Sequence, residues 1–199
     1  WKAGPIKGRI DAPPLAVDLD GDGTPELFVV ASMASQVMLV NRSGKVLERR
    51  PLPGPVRSVP LALAATHTPG SAFQIVVVCD TGHLVGLEVT ATALVPGGMV
   101  DLGVSPSTEP LVVRRPGGDA IRIVLGARFG SWLFSVRPGL DGVEWAVRGG
   151  AGFATGRPVA VDLDGDGTKE LCTSWLRPAA QAQASVLIHT QEGRLLARL

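Results

Sequence analysis

The sequence has no tyrosine, only two cysteines and three histidines, and aromatic residues make up 5% of its 199 positions. Each scarcity removes a class of explanation. Cys79 and Cys172 are too few for a disulfide-dense framework. Both sit in apolar runs and read as buried thiols, with a bond between them left open. The formal net charge is +1, and no Lys/Arg block offsets it, so nothing points to nucleic acid or an anionic membrane. Arg49-Arg50 and Arg114-Arg115 are short basic pairs, expected on solvated edges. No run of about 18 apolar residues marks a membrane segment in this chain. No signal peptide is recognisable, and the start at Trp1 without Met reads as a mature or trimmed fragment. Sustained 3.6-residue periodicity with caps is also missing, so no long helix is expected.

Catalytic signatures are equally thin. His67, His83 and His189 form no His-x-x-x-His or Cys–His pattern, and each reads as an exposed turn or strand histidine. There is no Gly-x-Ser-x-Gly elbow and no nucleotide loop. A Ser/His/Asp triad stays open at this stage, because its members need not be neighbours in sequence. Trp1, Trp132, Trp145 and Trp175 are expected to pack between sheets. An exposed Trp132 or Trp175 beside a pocket would instead favour carbohydrate binding.

What is present is glycine, proline and short apolar runs. There are 25 Gly and 16 Pro, and hydrophobic residues make up 45% of the chain, so it folds. Turn residues interrupt the apolar runs about every ten positions, which reads as all-β. A proline followed by three apolar residues opens four units, at Pro14, Pro60, Pro110 and Pro158, at intervals of 46, 50 and 48 residues. A period near 45 built of strands alone is that of a β-propeller blade with four antiparallel strands. The expected blades are about 12–56, 57–104, 105–153 and 154–199, forming one propeller domain or segment.

The expected strands are 14–18, 26–32, 36–41 and 45–50; 60–65, 73–79, 84–89 and 93–100; 110–114, 121–127, 132–137 and 143–148; 158–162, 170–176, 185–190 and 194–199. Gly44, Gly82, Gly142 and Gly193 mark tight turns. Trp1 precedes Asp18 by 17 residues, as Trp145 precedes Asp162, so residues 1–10 read as the last strand of a preceding or closing blade. With 194–199 also a fourth strand, the chain is expected to be four blades of a larger propeller. A self-contained four-blade ring is the alternative.

Two units carry the same acidic loop. Asp18-x-Asp20-x-Asp22-Gly23-Thr24-x-Glu26-Leu27 recurs as Asp162-x-Asp164-x-Asp166-Gly167-Thr168-x-Glu170-Leu171. Four carboxylates this close repel one another unless a cation sits among them. Side-chain oxygens at positions 1, 3, 5 and 9, with the carbonyl of Thr24 or Thr168 at position 7, suit Ca²⁺. An EF-hand would need Glu at position 12 and flanking helices. Position 12 is Val29 or Thr173, and the flanks are strand-like. A metal-free Asp-Gly turn explains one loop better than it explains two copies of the same four carboxylates.

These loops resemble the FG-GAP / VCBS repeats of integrin-α-like β-propellers, in which Asp-x-Asp-x-Asp-Gly-x-x-Asp/Glu-Leu joins the first two strands of a blade. The resemblance implies two Ca²⁺ sites, at Asp18, Asp20, Asp22, Thr24 and Glu26 and at Asp162, Asp164, Asp166, Thr168 and Glu170. Units 2 and 3 carry Ala65–Gly70 and Arg114–Asp119 at the corresponding place, and no metal is expected there. Arg128-Phe129-Gly130 matches the family's Phe-Gly signature only in part. The implied role is a non-enzymatic, calcium-stabilised interaction module, extracellular, cell-surface or periplasmic, that binds a protein or glycan through one face. A carbohydrate-binding or polysaccharide-cleaving propeller, a scaffolding segment of a larger extracellular protein, and self-association that completes a ring are the alternatives.

Overall fold

The computed structural model describes residues 9–56, 58–63, 73–114, 121–149, 152–177 and 183–199. Among these there are sixteen strands and no helix. The strands form four sheets of four, each antiparallel and each ordered as in the sequence. The chain divides into two compact units, Trp1–Gly103 and Val104–Leu199.

In the first unit, one sheet comprises β1 (Leu15–Val17), β2 (Leu27–Ser32), β3 (Gln36–Asn41) and β4 (Val46–Pro51). The other comprises β5 (Leu61–Ala62), β6 (Phe73–Val78), β7 (His83–Val89) and β8 (Leu94–Asp101). Strands β2, β3 and β6 are apolar on both faces because both faces are covered. Val29, Ala31, Val37 and Leu39 share one core with Phe73, Ile75, Val77 and Leu87. Val30, Met38 and Val40, on the other face of the first sheet, form a separate buried cluster. The fourth strand β4 carries Glu48, Arg49 and Arg50, in keeping with its partial exposure.

The second unit holds β9 (Leu111–Arg114), β10 (Ile121–Gly126), β11 (Trp132–Val136) and β12 (Val143–Arg148), then β13 (Phe153–Val161), β14 (Glu170–Arg177), β15 (Gln183–His189) and β16 (Leu195–Arg198). Val113, Val124 and Leu133 pack with Ala154, Leu171, Trp175 and Leu187. A polar link joins the same two sheets. The buried Arg122 guanidinium on β10 donates to Glu144 on β12 through Nη2 (2.8 Å), pairs with its other oxygen through Nε (2.7 Å), and donates to the Gln191 carbonyl (2.7 Å) in the β15–β16 turn. The Trp145 indole N–H donates to the same carbonyl at 2.8 Å.

All sixteen expected strands are present, and the four turn glycines have positive φ. The main departure is β13, which starts at Phe153 rather than near 158. Its ladder with β14 shifts between Thr155 and Val159, around Gly156-Arg157-Pro158. Pro158 has no N–H to give the ladder and Gly156 takes φ +73°, so the chain passes through an irregularity and pairs again before it. The expected strand 1–10 lies largely outside the described residues. Within them, the Arg9 carbonyl accepts the Met33 N–H at 2.9 Å.

Candidate metal centre

Each acidic loop begins where a first strand ends. Asp18 follows Val17 at the end of β1, and Asp162 follows Val161 at the end of β13. In both, the last cross-strand pair, Val17↔Leu27 or Val161↔Glu170, holds the loop's base. The loop is then shaped by its own carboxylates. Asp18 accepts the Gly21 N–H on Oδ1 (2.7 Å) and the Gly23 N–H on Oδ2 (2.8 Å). Asp20 accepts from Asp22 N (3.1 Å), Asp22 from Thr24 N (2.7 Å), and Glu26 from Leu19 N (2.9 Å).

The second loop repeats all five bonds. Asp162 accepts from Gly165 and Gly167 (2.7 and 2.9 Å), Asp164 from Asp166 (3.2 Å), Asp166 from Thr168 (2.6 Å) and Glu170 from Leu163 (2.9 Å). Such a tight spiral needs left-handed backbone at two places. Gly21 and Gly23 take φ +78° and +87°, and Gly165 and Gly167 take +79° and +86°.

The carboxylates held by these bonds lie close together. One oxygen each from Asp18, Asp20, Asp22 and Glu26 lies within 4.8 Å of the others, and the same holds for Asp162, Asp164 and Asp166. Oxygens on opposite sides of a calcium ion stand about 5 Å apart, twice the ligand distance, so this gathering has the right dimension. A carboxylate has about four acceptor sites, so one N–H bond per oxygen leaves capacity for a cation. The donor set is all oxygen and hard, which suits Ca²⁺ chemistry. The two loops differ at the base pair, where Val17 faces Leu27 but Val161 faces Glu170, a shift of one residue, and in their last carboxylate. Glu26 joins the first gathering, whereas Glu170 is buried and outside the second. Desolvation pushes the Asp18 carboxyl up, but hydrogen bonds from Gly23 and Gly21, with smaller ones at Asp20 and Asp22, outweigh it and hold the group below the usual range.

Of the stretches expected to be metal-free, Ala65–Gly70 and Arg114–Asp119, all but Arg114 at the end of β9 lie outside the described residues, as do His67 and Trp1. His83 lies in a turn contact with Thr81 Oγ1 at 3.0 Å, and its Nε2 is 3.8 Å from Asp101. His189 departs from expectation. It is buried, its Nδ1 has no hydrogen-bond partner among the described residues, and burial lowers its pKa. Both cysteines are free. Burial pushes the Cys79 thiol up to about 11, and it raises that of the half-buried Cys172.

Trp175 is buried and donates to Thr173 Oγ1 (2.8 Å), while the half-buried Trp132 lies under the Arg148 guanidinium, 5.0 Å from its centroid. Among the described residues no tryptophan is an exposed platform. The Arg122–Glu144–Gln191 link went unforeseen. Its one sequence signal is a lone charge inside Ile121-Arg122-Ile123-Val124-Leu125.

No protein-family model matches the sequence, and no curated protein matches it. Solved structures do. The chain is similar to BamB from Moraxella catarrhalis, with TM-score 0.56 and 13% identity over 97% of this chain and 62% of that one. It is similar to BBS1N, crystallised in complex with ARL6DN and soaked with lead, with TM-score 0.60 and 12% identity over 96% of this chain and 50% of that one. A mercury-soaked crystal of the same complex gives TM-score 0.53 and 12% identity over 94% and 60%. The chain thus spans between 50% and 62% of the length of these chains. Identity this low speaks to the fold alone. BamB and BBS1N are β-propeller proteins, and this chain is all-β of the propeller fold, its described residues forming four sequentially ordered antiparallel sheets as four blades.

Proposed function

We propose that the chain is a calcium-stabilised, non-enzymatic β-propeller module that binds a protein through one propeller face. The observation that carries the calcium reading is the duplication of one hydrogen-bonded loop, bond for bond, in two sheets, with its carboxylates converging each time. Asp18, Asp20, Asp22 and Glu26, with the Thr24 carbonyl, are the ligands of the first site. Asp162, Asp164 and Asp166, with the Thr168 carbonyl, form the second, and Glu170 joins it on rotation of its side chain. The ion's role is to neutralise the loop and to fix the register of the first two strands. Such sites fill where calcium is plentiful, which favours an extracellular, cell-surface or periplasmic setting.

Protein rather than sugar is the favoured ligand, because the described residues present no exposed tryptophan. BBS1N, a propeller neighbour, was itself crystallised with a protein, ARL6DN. Among the described residues no helix is long and apolar enough to cross a membrane.

The test is calorimetric titration of the EDTA-treated, dialysed chain with CaCl₂, paired with thermal melts in excess calcium and in EDTA. Two binding events are expected, the first loop tighter because its fourth carboxylate is already in place. At a calcium concentration 100-fold over the dissociation constant, each site stabilises the fold by about 2.7 kcal/mol. Asp18→Ala/Asp162→Ala should abolish both the heat and the rise in melting temperature. Absence of heat together with identical melts in calcium and EDTA would sink the metal reading.

A further inference from the structure

The fourth sheet differs from its counterparts on one face. Cross-strand pairing sets Val159, Cys172, Ile188 and Ala197 side by side, with Val161 and Val186 on the same side. The opposite face, through Leu171, Trp175 and Leu187, packs onto the third sheet. The proline-led strands allow a comparison position by position. Leu15 pairs with Val29, Leu111 with Val124, and Val159 with Cys172. Leu15 and Val29 lie in the core shared with the second sheet. Leu111 and Val124 lie in the core shared with the fourth. Within each unit, therefore, this face of the leading sheet is covered by the sheet that follows it.

In the fourth sheet the same face is open. Val17, Val29 and Val124 are 0% exposed, whereas Val159 is 56%, Val161 36% and Val186 38% exposed. The same pairing puts Ser174 and Thr155 on this face beside Val186, where their hydroxyls bond to each other and to the β13 and β14 backbone, and Glu170 beside Val161, where it is buried and accepts the Leu163 N–H. The six residues named above are apolar apart from the Cys172 thiol. Exposed apolar surface of this kind costs about 25 cal/mol per Å² relative to burial. Its small and β-branched side chains match the positions that elsewhere in this chain receive another sheet.

We propose that this face is a blade-stacking surface, and that its occupant is a further four-stranded antiparallel sheet of the same repeat. That sheet would sit against Val159 and Cys172 as the β5–β8 sheet sits against Leu15 and Val29, continuing the stacking seen within each unit.

Cys172 provides a reporter on the face itself. The experiment compares the 199-residue chain with one extended after Leu199 by a copy of residues 52–104, which carry the Phe73, Ile75 and Val77 face that covers Val29. Maleimide labelling of Cys172 should slow by about tenfold or more in the extended chain, because local opening must then precede reaction. Val159→Lys should leave the melting temperature of the 199-residue chain within about 1 °C and lower that of the extended chain by several degrees.

Equal labelling of Cys172 in the two chains would overturn the proposal. So would a fall in the melting temperature of the 199-residue chain on Val159→Lys, since that position would then already be core. Sedimentation of the 199-residue chain as a dimer that Val159→Lys dissociates would assign the face to a second copy instead.

Discussion

Replacing Arg122 with methionine removes the charged link between the third sheet and the β15–β16 turn while keeping most of the side-chain volume. The guanidinium is 5% exposed and makes a two-pronged contact with Glu144 and a 2.7 Å bond to the Gln191 carbonyl. Removing one partner of a buried pair costs about 3–5 kcal/mol, most of it from the charge left behind. Here that charge is Glu144, whose side chain is 30% exposed and can recover part of its hydration, and whose Oε2 also accepts from Ser135 Oγ at 3.2 Å. Glu192, 63% exposed and 3.3 Å from Arg122, adds little.

The Gln191 carbonyl keeps the Trp145 N–H. The net cost is therefore about 2–3 kcal/mol, a fall in melting temperature of about 4–12 °C for a chain of this size. Differential scanning calorimetry at neutral pH measures it. Arg122→Met/Glu144→Leu should recover much of the loss, because an apolar pair in place of a buried ion pair is often neutral. Desolvation pushes the Glu192 carboxyl up, but its bond with Arg122 outweighs this and holds it below the ordinary glutamate range. Its contribution is present at neutral pH and lost as pH falls through that lowered value, so Arg122→Met should also flatten the acid limb. A shift under about 1 °C, or strict additivity in the double variant, would refute the reasoning.

Gly149→Ala tests packing at the junction after β12. A Cβ there would stand 2.4 Å from Trp175 Cζ2, and the glycine is held by the Ser131 carbonyl and by Arg198 Nη2. The expected cost is about 1–3 kcal/mol, visible in urea titration as a lower midpoint with an unchanged slope; an unchanged midpoint would show that the ring yields freely. His189 is buried with its pKa lowered, so the unfolded chain takes up the proton first. Stability should therefore decline as pH falls below about 6.5 and go on declining to the folded value. His189→Leu should remove much of that decline between pH 7 and 5, and parallel curves for the two proteins would show that other groups drive it.

The sequence alone was sufficient for the strands and for the acidic loops, because both depend on local chemistry. Runs such as Gln74-Ile75-Val76-Val77-Val78 are β-branched and bounded by turn residues, and the 46-to-50-residue spacing of the proline-led strands groups them in fours. Asp at alternate positions with glycine where φ must be positive dictates one loop shape twice, since every bond that forms it joins residues at most seven apart.

Relations across sheets were decided only by the tertiary structure. Nothing near Arg122 in sequence indicates that its partners are Glu144 and Gln191, 22 and 69 residues away. Nothing near His189 marks it as buried rather than exposed. Val159 occupies the same repeat position as Leu15 and Leu111, yet those two pack into cores while Val159 stands open. Repeat position assigns a side chain to a face through the period-2 geometry of a strand. Whether that face is dry depends on a second sheet, and burial is a property of the pair.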